Sequence, residues 1–245
     1  MDELQKLKIS ANQLLEHEKA THGLRRSLRK LLKEISLLEN HIDSVNSLEK
    51  GGVTLELIKK ATKVQIGAGV HRIKGCLNID IVPPADFIWD VREGLPFGDN
   101  CLELIFSEHF LEHVDYPISS KKVISECFRV LKKGGEIIIG VPDSEKMINN
   151  YFHRNDYFYK KIIVNWYSKR NFLPDVNTYI DLLNFHLRDQ DDDAKYNPHF
   201  WGYDYEKMYS LLHDIGFSKI KKWKFDESIA NPKRRFGSLY VIAIK

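Results

Sequence analysis

The chain has 245 residues, 43% of them hydrophobic and 29% charged, with a formal net charge of +3. That suffices for one α/β domain with a buried core plus an appendage, and the charge is too mild to indicate a nucleic acid or a membrane surface as partner. Cys76, Cys101 and Cys127 form no CxxC pair, which excludes a cysteine-built metal module or disulfide framework and fits a reducing cytoplasm. No run of about 18 apolar residues is present to span a membrane, and the opening MDELQKLKIS is too charged for a signal peptide.

Residues 1–50 contain no proline and a single glycine, Gly23. Apolar residues fall on an alternating 4-3 spacing at Leu24, Leu28, Leu31, Ile35, Leu38, Ile42 and Val45, and the frame extends back to Leu14 and Leu7 but also takes in the polar Thr21, His17 and Ser10. Such a repeat keeps one seam toward a partner helix, so it predicts a coiled coil over 1–50. With Leu7 at position a, Leu28, Ile35 and Ile42 also fall at a, and Leu24, Leu31, Leu38 and Val45 fall at d. Isoleucine at a with leucine at d favours a parallel dimer, formed through residues 7–45. The other reading is a long amphipathic helix packed on its own domain.

Gly51-Gly52 ends this segment, and a second domain spans 51–245. A short helix is expected at Leu55–Ala61, then strands at 64–66, 77–81, 87–89 and 102–106. Val123–Leu131 reads as a helix followed by the stop Lys132-Lys133-Gly134-Gly135. Glu136–Val141 is apolar enough for a central parallel strand. A helix at Tyr205–Asp214 and strands at 219–225 and 238–244 complete the chain. This alternation predicts a Rossmann-like, seven-stranded, doubly wound parallel sheet. The aromatic-rich stretch 143–204 breaks the alternation. It reads as a helical insertion, either a substrate lid over the carboxyl ends of the strands or an extension of the core.

The first strand runs into Gly67-Ala68-Gly69, a turn that lets backbone approach a ligand closely. Asp80 ends the second strand, where a carboxylate can accept from both hydroxyls of a ribose or simply cap the strand end. Asp90 follows the third, where it can meet an adenine amino group or serve as a turn residue. A dinucleotide fingerprint would need glycine at 72, where Arg72 stands, and the interval after Gly69 is too short for a full helix. A nicotinamide-dependent oxidoreductase is therefore disfavoured.

Several stretches in order, VQIGAG, LNIDI, DVREGLPFGDN, LIFSEHFLEHV, ISECFRVLKKGGEIIIGVPD, HDIGF and GSLYVIAIK, give the chain a resemblance to the class I S-adenosylmethionine-dependent methyltransferases of the type-11-like family. It covers about residues 55–145 and 204–245, and neither the coiled coil nor the insertion. The resemblance implies S-adenosylmethionine as cofactor, with Gly67, Ala68 and Gly69 along its methionine and ribose portion. It places Asp80 on the ribose, Ile81 on adenine, Asp90 and Val91 at the adenine edge, and Ser107 near the sulfonium. Gln65 stands where the family usually has an acidic residue, and His71 where it often has glycine. These departures motivate a second reading, a catalytically degenerate module serving coiled-coil assembly.

Methyl transfer is mainly a positioning problem, and an oxygen nucleophile also needs a proton acceptor. His109 is the leading candidate. His109 and His113 stand four apart beside Glu108 and Glu112, but the H-E-x-x-H order of a zinc pair is absent, so no metal is expected. Alternatively, Glu112 and His113 hold the loop. His153, His186 and His199 are further candidates for base or substrate contact. The run 189–193 lacks the glycine and glutamate of a calcium loop. The cluster Lys219, Lys221, Lys222, Lys224, Lys233, Arg234 and Arg235 favours either an anionic substrate or a charged edge strand. The chain thus reads as a cytoplasmic methyltransferase of small-molecule or glycan-type acceptors, with transfer to oxygen. It is expected to be a homo-oligomer with no nucleic acid partner.

Overall fold

A computed structural model describes residues 3–50, 53–163, 166, 176–188 and 198–245. The N-terminal fifty residues form two helices, where the heptad pattern predicts one. Helix α1 spans Glu3–Glu16 and α2 spans His22–Glu49. The break has a local cause: Thr21 adopts an extended conformation and its side chain accepts from the Leu24 amide, so it caps a new helix. The break between the helices falls at His17 and Thr21, two polar positions of the heptad frame. The helices run antiparallel. Gln5 and Lys8 reach Glu39 at 2.9 and 2.7 Å, and Arg25 donates back to the carbonyls of Leu15 and His17.

The far half of α2 lies on the second domain. Asn40 donates to the Ile81 carbonyl at 3.4 Å, and the Asp90 amide donates to His41 Nδ1 at 3.4 Å. The His41 ring meets Trp89 edge-on, with centroids 4.5 Å apart. Leu28 and Ile35, two of the a positions, are buried, whereas Leu24, Leu31, Leu38 and Ile42 remain exposed. Packing against α1 and the second domain therefore covers part of the predicted seam and leaves Leu24, Leu31, Leu38 and Ile42 open.

Helix α3 (Val53–Lys60) leads into a seven-stranded sheet. Its strands are β1 (Lys63–Ile66), β2 (Leu77–Asp80), β3 (Phe87–Ile88), β4 (Leu102–Glu108), β5 (Leu131–Pro142), β6 (Ser218–Lys222) and β7 (Ser238–Ile244). The order is β3-β2-β1-β4-β5-β7-β6, the Rossmann-like arrangement expected. The strands β3 to β5 pair in parallel, with Val64 opposite Leu77 and Ile105 opposite Ile137. Two features differ from an all-parallel, doubly wound sheet. β7 runs antiparallel to both β5 and β6, because 223–237 joins β6 to β7 as a loop and only a parallel pair needs a helical crossover. The β1–β2 connection also lacks a helix, as its short length requires.

One face of the sheet is covered by α4 (Ile118–Val130) and α8 (Tyr205–Ile215), through Val123, Ile124, Cys127, Met208, Leu211 and Leu212. The other face is closed by loop residues, with Ile73, Trp223, Phe225 and Ala230 packed on Phe106, Ile138 and Tyr240. β5 is buried on both sides, which explains its continuous isoleucine run. The insertion contains α5 (Ser144–Phe152), α6 (Asp156–Ile162) and α7 (Tyr179–Arg188). These build a small core of their own from Met147, Phe158, Tyr159, Ile162 and Leu182. The aspartate run 189–193 lies outside the described residues.

Candidate active site at the carboxyl ends of the strands

A cavity of about 560 Å³ opens where β1, β2 and β4 end, the usual ligand position in an open α/β sheet. Its size is that of a small-molecule or cofactor site. Gly67, Ala68, Gly69, Asp80, Ile81, Asp90, Val91 and His109 all line it. Gly67 and Gly69 have φ of +67° and +53°, the left-handed region that glycine enters without a Cβ penalty. A Cβ on Gly67 would strike the Phe110 side chain at 2.5 Å, whereas one on Gly69 would project into open space. The turn is thus pressed against Phe110 on one side and bare toward the cavity on the other.

Asp80 holds this turn in place. Its carboxylate accepts from the Gly69 amide at 2.8 Å and from the Val82 amide at 3.1 Å. It stands between the glycine turn and the β2–β3 loop and lines the cavity. Asp90 also lines the space, but its carboxylate caps the 3-10 turn Val91–Glu93 and takes a forked ion pair from Arg92 at 2.7 to 3.1 Å. An adenine amino group would share this carboxylate with Arg92. Ser107 departs from expectation. It does not line the cavity; it borders a small apolar void with Ile66, Ile105 and Phe110. The reason is that Phe110 folds over the strand end and separates Ser107 from the glycine turn.

Gln65 is buried and turned away from the cavity. Its Oε1 accepts from the Ile73 amide and its Nε2 donates to the His71 carbonyl at 2.8 Å, so it closes the loop that replaces a helix after Gly69. An amide suits this task because it offers one donor and one acceptor. His71 lines the cavity and bonds the Ile229 carbonyl through Nε2.

The other end of the cavity is rich in histidine. His109 sits at φ +53°, rare for a side-chain-bearing residue, and such strain persists only where the surroundings enforce it. Here its amide is held by the Gly140 carbonyl at 2.8 Å, its Nε2 lies 2.7 Å from Ser238 Oγ, and its ring meets the edge of Trp166 at 5.1 Å. Burial, reinforced by Arg234 and by the imidazoles of His199, His113 and His186, lowers the His109 pKa well below the usual histidine value and keeps the ring neutral. His113 and His199 also line the cavity, and His153 lies exposed at the end of α5. His186 is buried behind them, its pKa pushed down to about 3 by burial and by His199. Glu108 belongs to a separate structural network, accepting from the Tyr240 hydroxyl at 2.5 Å, from the Asn231 amide and from Arg234.

Three parts of the wall come from outside the strand ends, and of these Leu37 and Asn231 carried no signal in the sequence. Leu37 comes from α2, Trp166 from the insertion, and Asn231, Lys233 and Arg234 from the loop before β7. The basic cluster consequently divides, with Lys219, Lys221 and Lys222 on the edge strand β6 and Lys233 and Arg234 at the cavity.

Residues 71–139 match the family model described as a methyltransferase domain. An uncharacterised protein of Methanocaldococcus jannaschii is 31% identical over 140 residues, 57% of this chain. The match spans 63% of that relative's length. Among solved structures, a methyltransferase dependent on S-adenosylmethionine from Archaeoglobus fulgidus is 16% identical, with 89% of this chain and 94% of that one covered and a TM-score of 0.44. The 1,6-didemethyltoxoflavin-N1-methyltransferase of Burkholderia thailandensis, solved with S-adenosylhomocysteine, is 14% identical over 78% of this chain and 73% of that one, with a TM-score of 0.43.

Proposed function

We propose that this chain, which matches a methyltransferase-domain family model over residues 71–139, transfers a methyl group from S-adenosylmethionine to an oxygen of a small-molecule or saccharide acceptor. The observation that carries this reading is the meeting of the bare glycine turn and the Asp80 carboxylate on one cavity, 2.8 Å apart at the Gly69 amide. The cofactor supplies an electrophilic methyl group on a positively charged sulfur. Gly67, Ala68 and Gly69 form the surface it lies along, Asp80 accepts from the ribose hydroxyls, and Ile81 and Val91, with Leu37 from α2, form the apolar slot for adenine. Asp90 holds the adenine edge jointly with Arg92.

His109 is the proton acceptor. It is placed at the cavity by a forced backbone conformation and fixed through Ser238, and geometry of this kind is the first requirement for a general base. Trp166, His199 and Lys233 form the acceptor side, and Lys233 favours an acceptor bearing an acidic group. The insertion serves as the substrate-side wall. The degenerate-module reading loses its motive at Gln65, which has a defined task in loop closure. The protein works in the cytoplasm, in keeping with three free cysteines. Among the described residues no helix is long and apolar enough to cross a membrane. It self-associates through α2, where Leu24, Leu31 and Leu38 stand exposed at seven-residue intervals.

Calorimetric titration with S-adenosylmethionine tests the site. The wild type should bind saturably, and Asp80→Ala should weaken binding at least tenfold. Losing charge-assisted hydrogen bonds at about 1.5–3 kcal/mol each predicts that order of effect. Absence of binding at millimolar cofactor refutes the proposal. Labelled cofactor incubated with a cell extract, followed by mass spectrometry of the labelled product, identifies the acceptor and the accepting atom.

A further inference from the structure

We propose that Glu112, His113 and His199 form a binding site for one divalent first-row transition-metal ion at the wall of the cavity. One ligand-capable atom from each residue lies within 4.8 Å of the other two. His113 Nε2 and His199 Nε2 both stand 4.0 Å from the same carboxylate oxygen of Glu112, and the two imidazole centroids are 4.7 Å apart. For bonds of about 2.1 Å, neighbouring ligands on a tetrahedral ion are separated by about 3.4 Å. The two Glu112–histidine spacings thus exceed that of a bound ion by about half an ångström, and the two histidine nitrogens lie within 4.8 Å, so side-chain rotations would have to close the site around an ion.

The arrangement is built by backbone pairing between distant segments. The Phe200 amide donates to the Glu112 carbonyl at 2.7 Å and the His199 amide to the Arg188 carbonyl at 2.9 Å. Tyr116 stacks on Trp201 beside them, with centroids 4.7 Å apart. His199 Nδ1 lies 2.6 Å from the His186 carbonyl. A carbonyl only accepts, so Nδ1 donates to it, which leaves Nε2, on the Glu112 side, as the nitrogen that would bind an ion. A backbone acceptor behind a ring is the usual support of a metal-binding histidine.

The donor set selects the ion. Two imidazoles and one carboxylate suit zinc and its first-row neighbours, whereas magnesium and calcium require oxygen cages. Glu112 is buried at 2% exposure and contributes the charge that compensates a cation there. His113 and His199 line the cavity, so an ion held there would be reachable from it. His109 borders the site, with Nδ1 3.6 Å from the same Glu112 oxygen. The i, i+4 histidine pair in the sequence missed this constellation because the second imidazole ligand arrives from the insertion. Binding of the ion does not depend on the methyl-transfer reading.

The test uses the full chain without an affinity tag, stripped by chelation. It is titrated calorimetrically with zinc chloride and, separately, with cobalt chloride followed by visible absorption. One equivalent should bind, and zinc should raise the melting temperature. His199→Ala and His113→Ala should lose the stoichiometric site, the cobalt bands and the zinc-induced melting shift, while the exposed-site control His153→Ala keeps all three. Should His199→Ala melt far below the wild type without metal, His199→Gln, which retains bulk and polarity, replaces it. No saturable binding to the wild type, or binding unchanged in both histidine variants, overturns the proposal.

Discussion

Single side chains carry much of the framework around the cavity, and Glu126 shows how. From α4 its carboxylate accepts from the Leu95 amide at 2.8 Å and from Arg129 through Nε and Nη2, both at 2.8 Å. Arg129 in turn donates to the carbonyls of Phe97 and Leu95 and pairs with Asp99. The stretch LPFGDN is thereby tied to the helix. The Arg129 hydrogen bond, aided by the Leu95 amide, holds the Glu126 carboxyl below its usual value. A carboxylate whose pKa falls on folding stabilises above its unfolded pKa and loses that contribution as pH falls through the folded value. Glu126→Gln should therefore cost about 1 kcal/mol at neutral pH. The difference from wild type should shrink below about pH 4, which thermal melts of the two proteins across that range will check. Cys127, its neighbour, presents the opposite case. Burial pushes its thiol up to about 12, so almost no thiolate forms near neutrality. A maleimide or disulfide reagent at pH 8 should leave Cys127 unmodified in the native protein and label it on unfolding, as peptide mapping will show.

At the scale of elements, α2 contributes to the cavity as well as to the appendage. Leu37 is buried at the cavity wall, about one turn of helix before the His41–Trp89 contact, and Asn40 and Glu34 engage the neighbouring Ile81 carbonyl and Arg92. Leu37→Ala should lower stability by about 2 kcal/mol, the lower end for a buried leucine, since the site already adjoins a space. It should also weaken S-adenosylmethionine binding severalfold; calorimetric melting with and without cofactor separates the two effects. The strands were legible where a period or a buried run was present. The glycine turn, Asp80 and the isoleucine run of β5 were found from spacing and pattern alone. The antiparallel sense of β7 was not, because strand direction depends on the connection rather than on the strand's own residues. The break at 17–21 was masked by a heptad frame that tolerates polar residues, although Thr21 as a capping residue was its local signal. Ser107 was misplaced because the fold of Phe110 over the strand end is a tertiary event. His199 was among the candidates in the sequence, yet its meeting with Glu112 required the insertion to return against the 3-10 turn Leu111–His113.

For the whole molecule, the helical hairpin and the sheet domain leave one apolar surface open. Leu28 and Ile35 are buried, while Leu24, Leu31 and Leu38 are 42%, 38% and 46% exposed, joined by Ile42 at 41%. At the a positions Leu28 and Ile35 are covered while Leu7, Leu14 and Ile42 are exposed, and the d leucines face outward along α2. A leucine every seventh residue fits a second helix at a shallow crossing angle, and an identical α2 provides the same spacing in a two-fold arrangement. Covering a half-exposed leucine contributes about 1 kcal/mol, so three leucines on each of two helices give about 6 kcal/mol before association entropy is subtracted. That supports a weak, concentration-dependent dimer on this stripe alone. Sedimentation equilibrium should accordingly show a monomer–dimer equilibrium. Leu31→Glu combined with Leu38→Glu should shift it fully to monomer, because each copy would place like charges opposite its partner. Since these side chains are already half in water, the variant should melt close to the wild-type monomer and retain cofactor binding. A wild type that stays monomeric at high concentration, or a variant that dimerises equally well, would remove α2 from the assembly and leave its role as a wall of the cavity.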